Sequence, residues 1–149
     1  MKEEMKDAKA KILLVDDEPD ILEIVGYNLR NEGYQVYTAE NGEEALKKAK
    51  KKKPDLIILD VMMPVMDGIE ACEKMRKLPE LDGTVITFLT ARGEDYSMIA
   101  GFDAGADDYI TKPVKPRVLV SKVKSLLRRR ESAAAATSNI VKLGDLIID

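Results

Sequence analysis

The chain has 149 residues, 45% hydrophobic and 34% charged, with a net charge of −3 and a pI near 5.2. That suits one domain with a substantial core, and its charge balance argues against a nucleic-acid-binding surface over the whole chain. With no histidine and Cys72 as the only cysteine, His-dependent triads, His-ligated zinc and intramolecular disulfides are excluded, and a reducing cytoplasm fits best.

Residues 1–10, within the opening "MKEEMKDAKAK", form a charged tail without the apolar core of a signal peptide. No apolar run nears the roughly 18 residues of a membrane span, so no membrane is expected as a partner. Five stretches then read as strands: "KILLVDD" from 11, "QVYTAEN" from 35, "LIILD" from 56, "TVITFLT" from 84 and "DDYITKP" from 107. The first, third and fourth are nearly continuous apolar runs, as in strands buried on both faces of a parallel sheet.

Helical patterns separate them. The first has Pro19 near its start, Leu22, Val25 and Leu29 on one face, and Gly33 placed to end it. Asn41 with Glu44, and Asp67 with Glu70, have the spacing of capping boxes. The third helix ends before Pro79 and the fourth, "EDYSMIAGFDAG", at Gly105. The fifth runs from Pro116 to about Arg130, burying Leu119, Val123, Leu126 and Leu127. Fivefold β-α alternation predicts an α/β fold: a flavodoxin-like, doubly wound, five-stranded parallel sheet of order 2-1-3-4-5, with helices on both faces. The lysine run at 50–53 reads as a solvated helix end.

Ligand sites of such sheets lie beyond the carboxyl ends of the strands. Those ends carry Asp16 and Asp17, then Asp60, Thr90 and Lys112. Three carboxylates in one crevice repel one another, and a hard divalent cation, Mg²⁺ above all, resolves the conflict. A phosphoryl group on Asp60 would meet that metal, the Lys112 ammonium and the Thr90 hydroxyl. Asp60 therefore reads as a nucleophile that becomes an aspartyl phosphate. Taken singly, these residues fit duller roles: Asp17 could merely cap the first helix.

The segments "VDDEP", "LIILDVMMPVMDG", "LTARGE" and "GADDYITKP", in this order, resemble a CheY-like response-regulator receiver domain, over residues 11–131. The resemblance implies that Asp60 accepts phosphate from a sensor kinase histidine. It implies that Asp16, Asp17, Asp60 and the Met62 carbonyl hold Mg²⁺ or another divalent cation, and that Thr90 and Lys112 contact the phosphoryl oxygens. Lys112-Pro113 would be cis and Tyr109 the switch aromatic. Met62 and Arg92, two positions after Asp60 and Thr90, are poor at orienting water, so self-dephosphorylation is expected to be slow.

After a linker at 132–139, "NIVKLGDLIID" resembles the start of the winged-helix DNA-binding domain of OmpR/PhoB-type regulators, whose first strand would occupy 140–149. DNA would then be a partner of a longer parent only. Such receivers dimerise through the fourth helix, fifth strand and fifth helix, where Asp107, Asp108, Lys122 and Arg129 stand. Met98 and Val118 replace an Arg and a Glu common there, which predicts a more apolar patch. The competing readings are a stand-alone receiver acting by protein binding, and a Mg²⁺-dependent Asp phosphatase. The phosphatase's Asp-x-Asp is not matched by adjacent Asp16-Asp17. A flavodoxin-type flavin protein is weaker still, because "DDEPD" would repel an anion.

Overall fold

The structure, a computed structural model, describes residues 10–91, 103–113 and 115–130. Five parallel strands, β1 (Lys11–Val15), β2 (Gln35–Ala39), β3 (Leu56–Asp60), β4 (Val85–Ala91) and β5 (Asp108–Lys112), pair in the order β2-β1-β3-β4-β5. The expected order is the observed one. Three helices follow the first three strands: α1 (Pro19–Asn31), α2 (Gly42–Lys52) and α3 (Gly68–Arg76). A further helix spans 116–130. The fourth helical pattern lies almost wholly outside the described residues, as do Arg92, Met98 and the whole segment after 130.

Alternation along the strands divides the core. Leu13, Val15, Ile57, Leu59, Ile86 and Phe88 face one way and pack with Ala45 and Ala49 of α2 and Ala71, Cys72 and Met75 of α3. Ile12, Leu14, Leu56, Ile58 and Leu89 face the other way, against Val25 and Leu29 of α1 and Leu119, Val123, Leu126 and Leu127. All five residues of β3 are buried. Each of its leucines and isoleucines contributes about 1.5–3 kcal/mol by leaving water, and this central strand can afford one charged residue at its end.

The helix ends follow the sequence signals, with small shifts. Gly33 (φ 96°) closes α1: its N–H donates to the Arg30 carbonyl and the Tyr34 N–H to that of Leu29, the paired bonds of a Schellman motif. Asn41 accepts from the Glu44 N–H as expected, but the Glu44 carboxylate reaches back to the Glu40 N–H, one residue earlier than a capping box requires. Asp67 accepts from the Glu70 N–H. β3 has the expected bounds and β4 is shifted by one residue, whereas β1, β2 and β5 end earlier than the sequence suggested. β2 stops at Ala39 because Glu40 and Asn41 are used in the α2 cap, and β5 stops at Lys112 because Pro113 has no N–H to donate.

A candidate phosphoryl-acceptor site at the sheet's carboxyl edge

Register explains why the acidic residues meet. Val15 pairs with Leu59 across β1 and β3, so Asp16 and Asp60, each one residue further on, emerge side by side. Counted in twos, Asp16, Asp60 and Lys112 share the sheet face that carries Ile12, Ile58 and Ile110. Asp16 is fully buried and Asp60 nearly so. The Lys112 ammonium lies 3.2 Å from Asp16 Oδ2 and 3.5 Å from Asp60 Oδ1. Asp16 Oδ1 also accepts from the Glu18 N–H at 2.9 Å.

This cluster is short of positive charge. Burial, then the charge of Asp16, push Asp60 up to about 7, against the pull of Lys112. Burial also raises Asp16, opposed by the Glu18 N–H and by Lys112. For Lys112, burial favours loss of the proton, but the Asp60 and Asp16 carboxylates outweigh it and hold the ammonium above its ordinary value. Carboxylate oxygens of Asp16, Asp17 and Glu18 lie within 4.8 Å of one another, an all-oxygen donor set of the kind hard cations such as Mg²⁺ take. The donor chemistry and the unrelieved charge both fit the metal that the sequence implies.

Of the other residues singled out from sequence, Asp17 is exposed and does not cap α1: the N-cap is Glu18, and no side chain caps that end. Thr90 is buried near the end of β4 and Tyr109 is buried in β5, its ring edge-on to Phe88 with centroids 6.2 Å apart. By alternation Thr90 and Tyr109 belong to the face opposite Asp60 and Lys112. The Met62 side chain is exposed, and Lys112-Pro113 is cis. Asp107 and Asp108 have partners within the chain: Asp107 pairs with Arg76 at 2.7 Å, and Asp108 with Lys122 at 3.4 Å and Arg129 at 3.1 Å. Val118 is exposed.

Sequence reasoning passed over three residues. Glu18 brings a third carboxylate to Lys112, at 3.6 Å; its only trace was the density of acids in "DDEPD". Gly68 is required by close approach, since a Cβ there would lie 2.1 Å from the Asp60 carbonyl oxygen. Gly42 is similar: a Cβ would lie 2.6 Å from the Met66 carbonyl oxygen.

Known proteins agree with this architecture. The family described as "Response regulator receiver domain" matches residues 12–124. The alkaline phosphatase synthesis transcriptional regulatory protein PhoP of Bacillus subtilis is 50% identical over 127 residues, 85% of this chain and 52% of PhoP. The transcriptional regulatory protein ResD of the same organism is 44% identical over 146 residues, 95% of this chain and 60% of ResD. This chain thus spans little more than half the length of either. A crystal structure of a putative response regulator from Chloroflexus aurantiacus superposes with a TM-score of 0.76 at 42% identity, over 80% of this chain and 98% of that one. A receiver fold, an acid cluster at its carboxyl edge and relatives of this similarity lead to one assignment: the chain belongs to the response-regulator receiver domains of two-component systems.

Proposed function

We propose that Asp60 is the phosphoryl acceptor, charged by a histidine of a sensor kinase, and that the chain works in the cytoplasm as a switch rather than as a turnover enzyme. The observation that carries this reading is Asp60 itself. It is a nearly buried carboxylate at the end of an apolar strand, raised to about 7, with an ammonium 3.5 Å away. In transfer, an Asp60 oxygen forms a bond to phosphorus as the bond from phosphorus to the partner's imidazole nitrogen breaks, and the imidazole takes up a proton as it leaves. Asp16, Asp17, Asp60 and the Met62 carbonyl would hold Mg²⁺. When bound, the ion neutralises charge on the equatorial phosphoryl oxygens. Lys112 supplies a second fixed charge and Thr90 a hydroxyl donor.

Phosphorylation would then move Thr90 and Tyr109, bias homodimerisation through the fourth helix, fifth strand and fifth helix, and control transcription through a DNA-binding domain beyond residue 140. Asp107, Asp108, Lys122, Arg129, Met98 and Val118 are the residues proposed for the dimer face. Support comes from the relatives, both named as transcriptional regulators, and from the exposure of Val118.

Intact mass after incubation with acetyl phosphate and Mg²⁺ tests the acceptor. One phosphoryl increment is expected in the wild type and none in Asp60→Ala or without Mg²⁺. Its decay should be slow, given Met62 and Arg92. An increment that survives in Asp60→Ala would move the acceptor elsewhere, and decay within seconds would overturn the expected lifetime.

A further inference from the structure

Lys112 has three carboxylates around it, and they are not equivalent. Asp16 and Asp60 are buried and fixed in the floor of the site, whereas Glu18 is 59% exposed by side chain and sits above it. Glu18 is also the N-cap residue of α1, where a short acid would accept bonds from the first-turn amides. Its side chain makes no such bond and reaches Lys112 at the end of β5 instead. Its backbone is held by the bond from its N–H to Asp16 Oδ1, so the carboxylate can swing while the residue stays in place. Repulsion from Asp16 and Asp17, all three within 4.8 Å, directs that carboxylate toward the Lys112 ammonium.

We infer that Glu18 is an exchangeable partner of Lys112, a positioning residue that holds the ammonium over the acceptor and competes with the phosphoryl group for it. The inference rests on the acceptor reading of Asp60. When a phosphoryl group arrives, Lys112 keeps Asp16 and trades Glu18 for a phosphoryl oxygen. The exposed partner is the one to go, because it returns to water at little cost. Removing its charge leaves Lys112 undivided and removes a repulsion from the incoming anion, so the site should hold a phosphoryl mimic more tightly.

The test is beryllofluoride binding at saturating Mg²⁺, by calorimetry, for the wild type, Glu18→Gln and Glu18→Asp, with Mg²⁺ affinity measured separately. Glu18→Gln is expected to bind beryllofluoride about threefold more tightly at low salt. The gain should vanish near ~1 M salt, where screening acts over about 3 Å. Glu18→Asp, which keeps the charge, should stay near the wild type. Equal affinity in wild type and Glu18→Gln would overturn the inference, as would weaker binding that follows a loss of Mg²⁺ affinity, which would make Glu18 a servant of the metal. A wild type that binds no beryllofluoride would instead overturn the acceptor reading, and this inference with it.

Discussion

The two edges of the sheet handle charge in opposite ways. At the amino edge Arg76, Asp107, Asp55 and Arg130 have matched partners. Arg76 donates to the carbonyls of Gly105, Leu81 and Thr84 and to Asp107, which also accepts from the Ile86 N–H. Asp55 takes the Lys11 N–H on one oxygen and Arg130 on the other, while Arg130 also donates to the Gly83 carbonyl. At the carboxyl edge, Asp16, Glu18 and Asp60 share the ammonium of Lys112, with Asp17 close beside Asp16 and Glu18, and no second ammonium pairs with them among the described residues. The first arrangement ties the ends of α3, β4 and β5 together. The second leaves a deficit that something from outside must fill, and a deficit of this kind marks a site.

Breaking the amino edge should have the largest effect on folding. Arg76→Ala leaves the Gly105 and Thr84 carbonyls without their guanidinium donor and Asp107 without its counter-ion, and we expect a loss of about 3 kcal/mol in urea unfolding, with acetyl phosphate labelling of the folded protein unchanged. A loss under ~1 kcal/mol would mean that water replaces the guanidinium without penalty.

At the carboxyl edge the sign reverses. The folded state holds the Asp60 proton up to about pH 7, against an ordinary value of 3.8. The metal-free fold is therefore unpenalised below about pH 4 and loses stability as pH rises to about 7. Asp60→Asn should flatten that slope in EDTA and be more stable than the wild type at pH 8, by on the order of 2 kcal/mol. Parallel pH profiles of Tm for the two proteins would show that Asp60 ionises without strain.

The smallest effect sharpens the contrast, because it concerns backbone strain beside the site rather than charge. Val65, a β-branched residue 76% exposed, has a φ of 71°. That left-handed conformation is costly for a β-branched side chain and free for glycine. Val65→Gly should gain about 1 kcal/mol, read as a rise of a few degrees in Tm; a fall would mean that the side chain packs usefully where it stands.

The carboxyl edge was legible in the sequence and the amino edge was not. Asp16, Asp60 and Lys112 each stand where an apolar run ends, so strand order alone brings them together. Arg76 gave no signal, because its partners lie up to 31 residues away and an arginine in a last helical turn suits the dipole in any case. Glu18 looked like one more acid at a helix start. Its reach to Lys112 depends on the distance between α1 and β5, which no local pattern encodes. The assignment of Thr90 and Tyr109 to the face opposite Asp60 does follow from counting in twos, once the strand bounds are known.

The loop from Val61 to Asp67 is fastened at both ends. The Gly42 N–H donates to the Met66 carbonyl and the Gly68 N–H to that of Val61, and a side chain would strike the Met66 carbonyl at Gly42 and the Asp60 carbonyl at Gly68. A span held this way has no slack. Its residues can be exchanged one for another, but an inserted or deleted residue would have to displace a helix start, so in this stretch variation should be by substitution and its length should be constant.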